Sequence, residues 1–250
     1  ISRSLANCEL LHLARGRIDV ALAQKQHDQY VAVLEANGID VTSLPEELEL
    51  PDAAFVEDTA VLLDEIAIIC RPGRESRLRE IASVAEFVKA IRNTHWIQGP
   101  GTLEGGDVLQ IQKTLYVGLS TRTNPEGISQ LQGIVRPFGY TVIPVTVKGC
   151  LHLKTGVTAL NDGMLLANPA WIDVAAFGAL KVITVPEEEP WGANTLSVPG
   201  KVLVAASAPR TIELLSGEGC PVQVVDISEI QKAEAGLTCL SVLFSDAASE

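Results

Sequence analysis

The sequence predicts an α/β fold in which one ββα-type unit recurs five times and closes into a ring. Three observations lead there. Short β-branched strands alternate with helical stretches of about 10–15 residues, the pattern of strands and helices layered on one another. The strands that close each unit recur at intervals of about 40 to 55 residues, the spacing of a repeat array. And 250 residues are too few for a long solenoid, while no Pro- or Ser-rich linker divides them, so residues 1–250 read as one domain.

The first copy shows only a helix and a closing strand: residues 20–36 carry helical spacing and lead through Gly38 into 39–43 (IDVTS). Four fuller copies follow. Strand 67–70 (AIIC) runs by a polar loop into a helix over 75–91 and a strand at 94–97 (THWI). Strand 115–118 (LYVG) leads to a helix over 125–138 and a strand at 141–145 (TVIPV). Strand 164–167 (MLLA) leads to a helix over 172–180 and a strand at 182–185 (VITV). Strand 201–205 (KVLVA) leads to a helix over 209–216 and a strand at 222–225 (VQVV). In each, β-branched and aliphatic residues suit a buried pleated surface, and the helical stretches repeat their apolar residues at helical intervals.

Composition narrows the function classes. At 47% hydrophobic and 20% charged residues, the chain resembles an ordinary globular domain. A formal charge of −12, from 31 acidic and 19 basic residues, argues against nucleic acid as a partner, since phosphate binding needs a positive surface, and suits a small cationic substrate. No apolar run approaches the roughly 20 residues that span a bilayer; the richest stretch, 60–70, is broken by Asp64 and Glu65. Five cysteines at 8, 70, 150, 220 and 239 form no CxxC pair and no even framework. Reduced thiols in a cytoplasmic protein are expected.

Four segments carry chemistry beyond a scaffold. Asp52, Glu57 and Asp58 flank a short apolar pair just before the run 60–63, and carboxylates adjoining a buried strand need a cationic partner. Glu104-Gly105-Gly106-Asp107 sets a carboxylate beside two glycines, which allow tight turns and close backbone approach. His152 alternates with leucines in CLHLK and so shares a strand face with Cys150 and Lys154. Cys239 lies in GLTCLSVL, with Gly236 and Thr238 before it as the sign of a turn that could present the thiol. Singly, each fits a turn, a structural histidine or a buried thiol; together they meet the logic of nucleophile, base and orienting carboxylate.

Taken in order, these segments resemble the dimethylargininase branch of the guanidino-group-modifying superfamily, which also holds arginine deiminases and amidinotransferases. The resemblance runs from Ser2-Arg-Ser-Leu5 to Ser241-Val-Leu-Phe244, through FVED at 55–58, TLEGGD at 102–107, YVGLSTRT at 116–123, LHLK at 151–154 and LTCLS at 237–241. It implies a five-bladed α/β-propeller (pentein fold) of ββαβ-type units, in agreement with the repeat count. The family usually has one more strand before Ser2, so the first strand of the ring is expected to be incomplete at Ile1.

Residue by residue, the resemblance implies Cys239 as nucleophile, His152 as general acid/base, and Glu104 as the group that holds His152 and contacts the guanidinium. Glu57 and Asp58 would bind guanidinium nitrogens, with Asp52 helping to place the substrate. Arg77 and Arg122 would hold the α-carboxylate. Leu10, in an N-terminal lid, and Ala233 would meet the amino acid end through their backbones. No cofactor and no metal are implied, and a homodimer is expected.

The implied reaction is hydrolysis of Nω-methylated arginine to citrulline and a methylated amine through an S-alkylthiouronium on Cys239. A guanidinium carbon is a poor electrophile, which suits a sulfur nucleophile; carboxylates on its nitrogens fix the cation's plane. The nearest alternative is a deiminase of arginine or another small guanidine. Deiminases typically carry an aspartate two residues after the histidine, where this chain has Lys154, and loss of one carboxylate leaves room for methyl groups. Two alternatives remain: a silent binding protein for a cationic amino acid, which the intact nucleophile, histidine and carboxylate argue against, and zinc held by Cys239 and His152, which has no CxxC or HxxxH spacing to support it.

Overall fold

A computed structural model of the chain describes residues 1–245. The described residues form four three-stranded sheets of one design, with a helix, or in the third sheet a 3-10 turn, between the last two strands. The first sheet joins β1 (Ala60–Leu62), β2 (Ile66–Ile69) and β3 (Asn93–Trp96), with α2 (Ile81–Lys89) crossing between β2 and β3. α1 is Val20–Ala36, ahead of it in the chain. The second joins β4 (Val108–Ile111), β5 (Thr114–Leu119) and β6 (Thr141–Thr146), with α3 (Pro125–Val135) crossing. α4 (Leu153–Gly156) then leads into the third sheet: β7 (Val157–Asn161), β8 (Met164–Ala167) and β9 (Lys181–Thr184). The fourth holds β10 (Leu196–Val198), β11 (Lys201–Ala205) and β12 (Val222–Val225), with α5 (Pro209–Gly217) crossing and α6 (Ser228–Gln231) after it.

In every sheet the first two strands form an antiparallel hairpin and the last two run parallel. A parallel pair needs a crossover, which the helices supply, and the central strand is covered on both faces. That is why β2 reads as an unbroken apolar run, Ile66-Ala67-Ile68-Ile69, all buried. The cores lie between neighbouring units. Ile68 and Cys70 pack with Leu115, Val117 and Leu131; Tyr116 and Val145 pack with Leu165 and Phe177; Leu166 packs with Val202 and Leu215. α1 closes the far side, its Tyr30 and Leu34 packing on Leu203 and Val225.

Four expectations need correction. The helix expected over 75–91 is a 3-10 segment, Glu75–Glu80, followed by α2. The helix expected over 172–180 is one 3-10 turn, Val174–Phe177, held between the cap of Asp173 on Ala175 N and the left-handed Gly178 (φ 60°); too few residues remain for a helical nucleus to pay back. And 150–154 is not a strand: His152 is the N-cap of α4. The strand expected at 39–43 carries no sheet pairing; Ile39 and Val41 pack by side chain against the α1 core. Among the described residues, no helix is long and apolar enough to cross a membrane.

Candidate active site

The chemistry-bearing residues sit just before the first strand of each unit, at one end of the sheets. Glu57 and Asp58 lie in the 3-10 turn Val56–Thr59 ahead of β1, Glu104 precedes the turn Gly105–Asp107 ahead of β4, and His152 caps α4 ahead of β7. The glycine pair is dictated by crowding. A Cβ on Gly105 would lie 2.0 Å from the Glu57 carbonyl oxygen, and one on Gly106 would lie 2.7 Å from Asp58 Oδ1 and 2.9 Å from the His152 ring. The loop is pinned from behind by Asn124, whose Oδ1 accepts Gly127 N at 2.8 Å as the cap of α3 and Thr102 N at 3.0 Å.

His152 Nε2 stands 2.5 Å from Glu104 Oε2 and 3.8 Å from Asp58 Oδ1. Burial would push the imidazole down, but the Asp58 charge and the Glu104 bond outweigh it and raise His152 well above the usual histidine range. Burial likewise would raise Glu104, but its bond to His152 and the Arg77 and Arg122 charges lower it. The pair is thus imidazolium and carboxylate at neutral pH. Glu104 Oε1 also accepts Gly73 N at 2.9 Å and Arg122 Nη1 at 3.3 Å.

Asp107 sets the histidine's backbone. Its Oδ1 accepts the amide of Leu153 at 2.8 Å and its Oδ2 the hydroxyl of Ser120 at 2.6 Å. Ser120 Oγ accepts the amides of Arg122 and Thr123 at 3.0 and 3.1 Å, so one carboxylate orders both the His152 turn and the Arg122 loop. Burial pushes Asp107 up to about 6. This residue stood in the TLEGGD segment but was not expected to serve the site.

On the other side, Lys154 Nζ pairs with Glu57 Oε1 at 2.6 Å, and Glu57 Oε2 accepts the Thr238 hydroxyl at 2.8 Å. Burial raises Glu57, with Lys154 opposing. Thr238 begins the 3-10 turn Thr238–Leu240 that carries Cys239, and Cys239 Sγ accepts Gly236 N at 3.3 Å. Burial, then the charges of Glu57 and Asp58, raise the thiol far above its ordinary value, so Cys239 is protonated when the site holds no cation. The chain's other thiols are also free.

Arg77 is buried with its guanidinium engaged: Nη1 meets Asp58 Oδ2 at 2.7 Å, Nη2 meets Glu80 Oε2 at 2.8 Å, and Glu104 Oε2 lies 3.7 Å away. Arg122 is also buried, but its Nε has no partner. Asp52 accepts the amide of Glu9 at 3.1 Å, tying down the N-terminal loop that contains Leu10. The same loop is held by Glu234 Oε1, which accepts the amides of Leu11 (2.9 Å), His12 and Leu13. Ala233, next to Glu234, is buried after α6. The structure therefore joins Asp58, Arg77, Glu104, Arg122 and His152 in one network, sets the Glu57–Lys154 pair next to it in the chain and ties that pair through Thr238 to the turn of Cys239, and sets Asp52, Leu10 and Ala233 at the N-terminal loop.

Six buried carboxyl groups (Asp52, Glu57, Asp58, Glu80, Glu104, Asp107) face four cationic side chains (Arg77, Arg122, His152, Lys154), an excess that suits a cationic ligand. Asp58, Glu104 and His152 each offer one ligand atom within 4.8 Å of one another. The same two carboxylates hold the His152 imidazolium between them, so a metal at this trio would have to displace that proton. Cys239 is not part of the trio.

Residues 14–168 match the model of the family described as N,N dimethylarginine dimethylhydrolase, eukaryotic. The chain is 42% identical over 243 residues to the N(G),N(G)-dimethylarginine dimethylaminohydrolase of Streptomyces coelicolor, covering 96% of this chain and 93% of that protein. It is 37% identical over 231 residues to the enzyme of the same name from Pseudomonas aeruginosa, covering 92% of this chain and 91% of that protein. A solved structure of the Pseudomonas aeruginosa protein, a cysteine-to-serine variant in complex with citrulline, superposes with a TM-score of 0.90 at 35% identity, covering 97% of this chain and 96% of that one.

Proposed function

The chain belongs to the dimethylarginine dimethylaminohydrolase family, and from that premise we propose that it hydrolyses Nω-methylated arginine to citrulline and a methylated amine. The observation that carries this reading is the charged pair of His152 and Glu104 at 2.5 Å, bracketed by Asp58, whose turn Val56–Thr59 packs against the turn that bears Cys239. A histidine held protonated is ready to give its proton to a departing amine.

In this reading Asp58 and Glu104 fix the guanidinium plane, with Asp52 helping to place the substrate. The bound cation offsets the negative charges that hold the Cys239 thiol protonated, and the thiol releases its proton to solvent. The thiolate attacks the guanidinium carbon; His152 protonates the methylated nitrogen as the C–N bond breaks, leaving an S-alkylthiouronium. His152, now neutral, takes one proton from the water that attacks this carbon; as the tetrahedral adduct collapses and the C–S bond breaks, the remaining hydroxyl proton passes to the departing sulfur, leaving citrulline and the Cys239 thiol. Arg122 would hold the α-carboxylate, which its unpartnered buried Nε supports. Arg77, spent on Asp58 and Glu80, would contribute to carboxylate binding by its charge. Leu10 and Ala233 would meet the amino acid end through backbone groups, and the loop held by Asp52 and Glu234 would cover it.

The second reading is a deiminase of arginine. Lys154 argues against it: where deiminases carry another carboxylate, this side chain neutralises Glu57 at 2.6 Å, so Glu57 acts on the substrate only through a paired carboxylate. Citrulline release from asymmetric dimethylarginine and from arginine, side by side, tests the choice. Faster turnover of the methylated substrate supports the proposal; faster turnover of arginine overturns it and keeps the mechanism.

A fifth blade completes the ring in this reading. β1, β4, β7, β10 and the segment 241–243 line one cavity of about 230 Å³, and Leu44 and Val242 pack on the first sheet; α1 with 39–44 and 241–243 would supply the fifth unit. The Glu57–Lys154 pair borders this cavity and would separate it from the substrate. We also read the chain as one catalytic domain, since its site draws on residues from Asp52 to Cys239. The free thiols support a reducing, cytoplasmic setting, and a homodimer is tested by light scattering.

A further inference from the structure

We infer that Asn194 is a positioning residue for the nucleophile: its side-chain amide locks the Cys239 loop onto the short helix that follows His152. The inference rests on the roles given above to those two residues. Asn194 lies in its own unit between the 3-10 turn Pro190–Ala193 and β10, in the stretch leading into a first strand, as Glu104 and His152 lie ahead of the turns that lead into β4 and β7. It is buried, it sits in no recognisable motif, and its two polar atoms are fully used.

Nδ2 donates to Lys154 O at 2.8 Å and to Thr238 Oγ1 at 3.0 Å, while Oδ1 accepts Thr238 N at 3.2 Å. Each partner is a step from the chemistry. Lys154 lies two residues after His152. Thr238 lies one residue before Cys239, and its hydroxyl passes the chain of bonds on to Glu57 at 2.8 Å. The fourth contact is steric: a Cβ on Gly236 would lie 2.2 Å from Asn194 Oδ1, so only glycine lets the loop settle on the amide plane. Gly236 N is the group that donates to Cys239 Sγ at 3.3 Å. Asn194 thus sets the distance between the loop bearing the thiol and the turn bearing the imidazole without touching either.

The residue type follows from this. The site asks one side chain of this length for two donors and one acceptor. An aspartate would turn its second oxygen toward two acceptors, and a serine could reach only one of the three partners. Unpaired buried groups of this kind are costly enough to move a loop, and a shift near 1 Å in reacting geometry costs roughly a hundredfold in rate.

The test uses the whole chain with Asn194→Asp and Asn194→Ser. Steady-state constants are measured for asymmetric dimethylarginine, and alkylation of Cys239 by iodoacetamide is followed against pH by mass spectrometry of its peptide. We expect kcat to fall about a hundredfold with KM within about threefold, because the substrate's own ligands stay in place. The alkylation profile should move to higher pH, since the Gly236 amide that favours the thiolate is released; thermal melts control for folding. A folded variant with kcat and alkylation profile close to the parent's overturns the inference. So does failure of both variants to fold, which would make Asn194 a framework residue. Alkylation needs no turnover, so it decides the question even if the parent releases no citrulline, an outcome that would count against the proposed function instead.

Discussion

Replacing Glu104 by glutamine should bring the loss of the His152 proton down toward neutral pH, and the size of the effect can be worked from the geometry. Glutamine keeps the shape, and its amide oxygen can still accept Gly73 N and Arg122 Nη1, which Glu104 Oε1 meets at 2.9 and 3.3 Å. The amide nitrogen then faces His152 Nε2, where Oε2 stood at 2.5 Å. Two donors cannot share that gap, so the imidazole must become the acceptor and give up its charge. A hydrogen bond to a charged group contributes about 1.5–3 kcal/mol, and about 1.36 kcal/mol corresponds to one pH unit. The titration midpoint of His152 should therefore fall by roughly one to two pH units, with Asp58 at 3.8 Å retaining part of the original stabilisation. The sign is fixed by the raised native value: the charged ring persists to higher pH than an ordinary histidine and is lost sooner without Glu104. The chain has four histidines, so long-range nitrogen–proton NMR spectra can follow His152 through a pH titration. Above the lowered midpoint kcat should fall, approaching the loss of about 10²- to 10⁴-fold usual for a general acid as the last charged ring disappears, while below it most of the activity should remain. An unchanged midpoint with kcat within a few-fold of the parent would refute the reasoning.

Gly106→Ala should lower kcat about a hundredfold in a protein that still folds, because the new Cβ meets Asp58 Oδ1 and the His152 ring at 2.7 and 2.9 Å; a kcat within about threefold of the parent, measured with a thermal melt, would show that the clamp tolerates the shift. Lys154→Asp frees Glu57 from its 2.6 Å partner and adds a second carboxylate. The ratio of kcat/KM for arginine over dimethylarginine should rise at least about tenfold, from one charged hydrogen bond of about 1.5–3 kcal/mol; an unchanged ratio would remove Lys154 as the specificity residue.

The periodic units were legible in the sequence because each central strand is buried on both faces and so reads as an unbroken apolar run, as in AIIC and LYVG. What escaped was set by distant partners. His152 looks like a strand residue in CLHLK, but Asp107, far off in the chain, takes the Leu153 amide at 2.8 Å and starts a helix there. The helix expected over 172–180 failed because Asp173 and Gly178 leave room for a single turn. The stretch 39–43 has the composition of a strand and packs by its side chains instead. In the site, Glu104 stood out beside its two glycines, Cys239 after Gly236 and Thr238, and His152 as a histidine set among leucines, and only their combination in order along the chain pointed to chemistry. Asn194 and Asp107 did not, since a buried amide or carboxylate that serves only hydrogen bonds leaves no local pattern. Arg77 was visible as a residue but not as an ion-pair centre, because its partners Asp58 and Glu80 meet it only in the folded chain.

The account turns on a covalent bond to Cys239, and the most direct measurement is the intact and peptide mass of protein quenched in acid during turnover of dimethylarginine. It predicts a thiouronium adduct confined to the peptide that contains Cys239, present during steady state, gone once substrate is exhausted, and absent from Cys239→Ser along with citrulline release. Full turnover with no adduct at any quench time, or a Cys239→Ser variant that keeps most of the activity, would contradict it.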